Sequence, residues 1–129
     1  MLVVGAGPAG TAAALTLSAA GRPVTVIDRA TFPRDKCCGD GLTTLALREL
    51  ETLGLSPTEV PNWMTVNSAR LRTPSGRSFD IPLPSQGTYA AVAPRADLDN
   101  TLVEMAIRSG ADVRQGWRLE SITQTAPEA

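Results

Sequence analysis

The chain has 129 residues, 43% of them hydrophobic, with 12 Lys+Arg against 13 Asp+Glu and a formal net charge of −1, the size and balance of one ordinary globular domain. It holds no histidine, so within this chain imidazole acid/base catalysis, Ser/His/Asp or Cys/His nucleophiles and His-ligated metals are excluded. Dispersed arginines and 4% aromatics argue against nucleic acid, which leaves carboxylates, a thiol pair or a borrowed cofactor to carry any chemistry.

In chain order, the apolar run Leu2 to Val4 leads into Gly5-Ala6-Gly7-Pro8-Ala9-Gly10, an alanine-rich segment to Ala20, Gly21, and the β-branched run Val24 to Ile27 closed by Asp28. This reads as strand, glycine turn, helix, strand. Pro8 suits the first helical turn and Gly21 the C-terminal stop, and a crossover helix makes the two strands parallel. Arg29 to Gly41 lacks periodicity and reads as an ordered loop. A second helix is expected from about Leu42, with Leu42, Leu45, Leu50 and Leu53 inward, Asp40 as a candidate N-cap and Gly54 as the stop.

Pro57 and Pro61 then break the chain. Alternation over Val66–Arg72 and Arg77–Ile81, flanking Pro74-Ser75-Gly76, predicts an antiparallel hairpin. Tyr89–Ala93 reads as a strand and Arg95–Ser109 as a helix whose core positions are Leu98, Leu102, Val103, Met105, Ala106 and Ile107. After Gly110, Ala111–Arg114 reads as a third parallel strand, and Trp117–Thr125 alternates weakly. The fold class is therefore α/β: a Rossmann-like βαβ parallel sheet with an antiparallel β insertion at about residues 62–93. The most apolar stretch, Ala9–Ala20, is too short for a bilayer and carries Thr11, Thr16 and Ser18. With no cation before Arg22, it does not read as a signal peptide.

The glycine fingerprint gains specificity from its context, between a strand and a helix with an acid at the end of the next strand. Gly5 permits the tight turn, Gly7 lets backbone approach a pyrophosphate, and Gly10 allows close helix-to-strand packing, while the helix N-terminus offers free N–H groups to phosphate. Asp28 would accept hydrogen bonds from the adenosine ribose and repel a 2′-phosphate. That favours FAD or NAD over NADP.

Cys37 and Cys38 are adjacent, a spacing at which a mutual disulfide strains the peptide between them, and two thiols cannot close a zinc site. Eleven of the twelve basic residues are arginine, and the single lysine, Lys36, stands beside the thiols. Reduced thiols suit a cytoplasmic setting. Lys36 is placed to lower the Cys38 thiol pKa or to carry negative charge, and Gly39 and Gly41 let backbone pass close to a ligand. Cys37 reads as a small buried apolar residue, and Trp63 and Trp117 as core or interface residues.

Val3-Val4-Gly5-Ala6-Gly7-Pro8-Ala9-Gly10 with Asp28-Arg29, then Phe32 to Leu42 containing the pattern P-x-x-K-x-C-G-x-G (Pro33, Lys36, Cys38, Gly39, Gly41), and later Arg95-x-x-Leu98-Asp99-x-x-Leu102 resemble the geranylgeranyl reductase family. Its members are FAD-dependent oxidoreductases with the p-hydroxybenzoate hydroxylase type of fold, and menaquinone reductases belong among them. The resemblance spans most of the chain and has no diagnostic match over Ser56–Gly87. It implies FAD held by Gly5, Ala6, Gly7, Pro8, Ala9, Gly10, Asp28 and Arg29, with Lys36, Cys38, Gly39 and Arg95 toward the flavin and Cys38 as the candidate catalytic residue. No metal site is implied.

The same resemblance implies a prenyl lipid substrate whose carbon-carbon double bonds are reduced, such as a geranylgeranyl lipid or the menaquinone tail. An external electron donor, NAD(P)H or another reductant, is also implied, in the cytoplasm with room for peripheral contact at the inner face of a membrane. A flavin monooxygenase or halogenase of the same fold is the alternative enzyme, and a non-catalytic dinucleotide-binding module the alternative of another class. Residues 1–129 are expected to be the N-terminal FAD-binding portion of a longer enzyme, since a later Gly-Asp segment and a large substrate region that such enzymes carry are missing. On that expectation the domain is incomplete, and the lack of histidine constrains this segment alone.

Overall fold

The computed structural model describes residues 1–38, 40–84 and 86–123. In chain order the elements are β1 (Leu2–Val4), α1 (Pro8–Ala19), β2 (Thr25–Asp28), β3 (Gly41–Leu42), α2 (Thr44–Thr52), a 3-10 turn (Pro57–Glu59), β4 (Met64–Thr65), β5 (Ser68–Arg72), β6 (Ser78–Pro82), β7 (Ala91–Val92), α3 (Arg95–Arg108) and β8 (Asp112–Gln115). They divide into two compact units: Met1–Arg34 together with the chain from Leu102 onward, and Asp35–Thr101.

The first unit is the expected parallel βαβ. β2 is the central strand, with Val3 of β1 opposite Val26 on one side and Val113 of β8 opposite Val26 on the other, both pairings parallel. Apolar residues on both faces suit a covered parallel sheet. The core gathers Ala6, Ala14, Val24, Val26, Phe32, Val103, Ala106 and Ala111. Small side chains on α1 let helix and sheet approach closely. At its C-terminal end, Ala20 caps the helix and Gly21 takes the left-handed conformation (φ +68°), an efficient stop because glycine has no Cβ to strain there.

The second unit is antiparallel. β7 lies between β3 and β4, so the expected Tyr89–Ala93 strand shortens to two paired residues in the centre of a three-stranded sheet. The hairpin forms as β5 and β6, with Leu71 opposite Phe79 and Arg70 opposite Asp80. Alternation therefore puts Ala69, Leu71, Phe79 and Ile81 on one face and the charged pair on the other.

Several local expectations are corrected. α2 begins at Thr44, not near Leu42, because Leu42 is still paired with Ala91 and the Thr43 hydroxyl caps the helix by accepting from Ala46 N–H. Asp40 is not the N-cap: it sits at φ +53° and its carbonyl accepts from Ala93 N–H at 3.0 Å. With the helix start moved, Leu47 is the buried residue and Leu45 is 71% exposed. Ile107 is likewise outward, 48% exposed, whereas Leu98, Leu102, Val103, Met105 and Ala106 are buried. No strand forms over 117–123, and the end of that run, Gln124–Thr125, lies outside the described residues. No helix among the described residues is long and apolar enough to cross a membrane.

Candidate functional site

In the first unit the fold requires two of the three fingerprint glycines, for different reasons. Gly5 adopts φ +101°, which L side chains rarely take. A Cβ on Gly10 would lie 1.8 Å from the Gly5 carbonyl oxygen, so no side chain fits where α1 crosses the turn. Gly7, the N-cap of α1, has φ −74° and ψ −178°, an ordinary extended conformation open to any residue, so its dihedrals do not demand glycine.

α1 starts with the feature an anion needs. Gly7 supplies no side-chain cap, Pro8 occupies the first turn and no acidic residue lies there, so the first-turn N–H groups and the helix dipole are not neutralised by side chains. Ala6 turns the other way: it is fully buried in the core, and its N–H donates to Asp28 Oδ2 at 2.7 Å. Its part is thus structural. Asp28 Oδ1 accepts from Ala30 N–H at 2.8 Å, so this carboxylate clamps the glycine turn to the end of β2 and keeps further lone pairs for a ligand.

A cleft of about 370 Å³ opens beside these groups, lined by Val4, Gly5, Ile27, Asp28 and Arg29 and by Trp117, Arg118 and Leu119. Trp117 is 54% exposed, with the Arg114 guanidinium over its ring at 5.1 Å, so of the core or interface positions expected for it, the core one is excluded. The 117–119 segment was not marked by any motif. It is drawn to the strand end by Trp117 N–H donating to the Asp28 carbonyl at 2.8 Å.

The second unit holds the thiol loop. Cys37 and Cys38 are both exposed, which corrects the buried reading of Cys37: this loop lacks the apolar periodicity that would turn a small side chain inward. Gly39 lies outside the described residues. Lys36 is exposed, and Arg95, at the start of α3, is a cation beside Cys38. Arg95 also grips Asp99 with two bonds, Nε to Oδ1 at 2.8 Å and Nη2 to Oδ2 at 2.9 Å. The Asp99 side chain is fully buried and that of Arg95 is 16% exposed. The Asp99 hydrogen bond pushes the Arg95 pKa up, against the opposing effect of burial, and the Cys38 contact pushes it further.

A second cleft, of about 430 Å³, lies along α2 and includes Leu47, Leu50, Leu55 and Trp63 among its walls. The Trp63 Nε1 is buried and finds no hydrogen-bond partner.

Comparison with known proteins decides the cofactor. The FAD binding domain family matches residues 1–128. This chain belongs to that family. It is 40% identical over 129 residues to a menaquinone reductase of Mycolicibacterium smegmatis, covering 95% of this chain and 30% of the relative. It is 34% identical over 113 residues to a geranylgeranyl diphosphate reductase of Rhodobacter capsulatus, covering 85% and 26%.

Among solved structures, a flavoprotein/dehydrogenase from Cytophaga hutchinsonii matches with a TM-score of 0.82 at 28% identity, over 96% of this chain and 31% of that one. A geranylgeranyl bacteriochlorophyll reductase-like protein from Thermoplasma acidophilum matches with a TM-score of 0.74 at 26% identity, over 89% and 29%. The chain thus spans 26% to 30% of the length of these curated relatives.

The cofactor is FAD, and the residues of the first unit fit it. Gly7, Ala9 and Gly10 would meet the pyrophosphate at the start of α1, and Asp28 the adenosine ribose, beside a cleft that Arg29 lines. When bound, FAD supplies hydride and electron transfer.

Proposed function

We propose that this chain is the FAD-holding part of an oxidoreductase that reduces carbon-carbon double bonds of a prenyl chain, either a geranylgeranyl lipid or the tail of menaquinone. The observation that carries the reading is the clamped glycine turn with Asp28. Its chemical direction comes from similarity along 95% of the chain to a menaquinone reductase. In this reading Gly5, Gly7, Pro8, Ala9, Gly10, Asp28 and Arg29 serve the adenosine diphosphate end of FAD. Lys36, Cys38, Gly39 and Arg95 take the flavin-side roles that the P-x-x-K-x-C-G-x-G pattern and the Arg95 motif imply. Residues 62–93 serve the substrate side. The hydride reaching FAD comes from an external donor, NAD(P)H or another reductant, and contact with a prenyl lipid calls for peripheral approach to a membrane from the cytoplasmic side.

The test is anaerobic turnover of the intact protein with reduced FAD and a prenylated substrate. The expected product is heavier by two hydrogens for each double bond reduced. Flavin reoxidation that requires oxygen and yields a hydroxylated or halogenated product would overturn the proposal in favour of a monooxygenase or halogenase. FAD binding with no turnover of any prenyl substrate would overturn it in favour of a dinucleotide-binding module.

A further inference from the structure

Trp117 is a large aromatic side chain fixed in the open beside the first cleft. It follows Gly116, which takes φ +76°, a conformation that L side chains rarely adopt. Two backbone bonds then tie this segment down: Gly116 N–H donates to the Ala30 carbonyl at 3.2 Å, and Trp117 N–H to the Asp28 carbonyl at 2.8 Å. The main chain at Trp117 is thus anchored to the same strand end whose carboxylate clamps the glycine turn. Its side chain, by contrast, stands outside the buried cluster of this unit and is 54% exposed. The fold holds the residue in place without using its ring.

Arg114 steadies that ring. Its guanidinium lies 5.1 Å from the ring centroid and is itself held by Asp112, whose Oδ2 is 2.8 Å from both Nε and Nη2. One indole face therefore meets a cation, and the residue still lines the cleft beside Gly5, Asp28 and Arg29. Among the described residues lining that cleft, Trp117 is the sole aromatic one. The Asp28 carboxylate suits ribose hydroxyl groups and offers nothing to the flat face of a base, whereas an indole does: every base has a π face that stacks on an aromatic ring.

We propose that Trp117 is the adenine platform of the FAD site: the base of the cofactor stacks on the indole that Arg114 backs, while Asp28 takes the ribose. This deepens the reading of the cleft as the adenosine end of FAD and rests on it. No bond forms or breaks. Trp117 contributes affinity, because the stacked ring and base cover each other from water in a position the backbone has already fixed.

The test titrates ADP, which carries the adenosine end of FAD without the flavin, into the intact apoprotein and reads both calorimetric affinity and indole fluorescence. ADP does not absorb where indole emits, so a change in emission reports contact and not energy transfer to a flavin. Trp117→Leu is expected to weaken ADP and FAD alike by about fivefold to a hundredfold, the range of one base–aromatic stack. Trp117→Phe, which keeps a π face, should lose much less. Both variants should unfold at nearly the temperature of the unmodified protein, since the ring is half exposed. ADP should change indole emission in the unmodified protein, and Trp117→Phe should remove that change. No change of emission in the unmodified protein would overturn the proposal without any variant. Unchanged ADP affinity in Trp117→Leu, or an equal loss in Trp117→Phe and Trp117→Leu, would also overturn it. Asp28→Asn separates the two failures. If it weakens ADP while Trp117→Leu does not, this proposal fails alone; if ADP is indifferent to both, the reading of the cleft fails with it.

Discussion

The glycine turn of the first unit and the Arg95–Asp99 pair of the second both offer positive potential, and they do so by opposite means. At Gly5–Gly10 the positive potential comes from backbone N–H groups at the start of α1, with an acid, Asp28, locking the turn from beneath. In the second it comes from one guanidinium, held by a carboxylate a helical turn away on α3. An anion site made of backbone tolerates side-chain changes around it and fails when a Cβ is added. A site made of side chains keeps its backbone through substitution and loses its charge. The hairpin β5–β6 is a third case, with every residue of both strands exposed, where substitutions should matter least to the fold.

The sharpest break in the comparison is Gly10→Ala. A methyl placed 1.8 Å from the Gly5 carbonyl oxygen forces backbone to move, and a loss of more than about 3 kcal/mol is expected, at the upper end of overpacking effects. Thermal unfolding and FAD retention should fail together. Asp28→Asn comes next. One of the two clamped N–H groups loses its acceptor or the amide must rotate, and a charge-assisted bond of about 1.5–3 kcal/mol is removed, so FAD affinity should fall by roughly tenfold or more while discrimination against a 2′-phosphate weakens, both read by calorimetric titration.

Thr43→Ala removes the N-cap of α2 and should lower stability by about 0.5–1 kcal/mol with FAD affinity unchanged. The smallest effect belongs to Arg70–Asp80 on the hairpin, a pair joined at 2.6 and 3.0 Å but open to solvent. The Arg70 hydrogen bond holds the Asp80 carboxyl below its ordinary pKa. What the pair contributes is therefore present above the unfolded-state pKa and lost as pH falls through the lowered folded one. Asp80→Asn should leave the unfolding midpoint at neutral pH unchanged, and an NMR titration of Asp80 should show the lowered midpoint move back to the ordinary range in Arg70→Ala.

What was legible in the sequence follows the same division. Gly5, Gly10, Gly21 and Asp28 act through backbone geometry within a short span, so spacing alone reveals the turn, the helix and the parallel pairing. Ala6 belongs to the same motif yet serves the core, because its N–H is claimed by Asp28, a bond no spacing rule specifies. In the second unit the signals were side chains distant in sequence. Lys36 stands next to the thiols in sequence, whereas Arg95, far along the chain, is also a cation beside Cys38, brought there by tertiary packing. The start of α2 slipped for a similar reason: pairing of Leu42 with Ala91 is a long-range fact, and it decides which leucine turns inward. Trp117 and its neighbours reached the first cleft through a backbone bond to Asp28, with no sequence pattern to announce it.

The central claim, that the start of α1 is where FAD is held, is tested most directly by titrating FAD into the intact apoprotein beside its Gly7→Val variant. Gly7 has ordinary dihedrals, so the variant should unfold at nearly the same temperature while FAD binding is lost, because the new side chain occupies the space the pyrophosphate needs. A stable Gly7→Val protein that binds FAD with undiminished affinity would contradict the account.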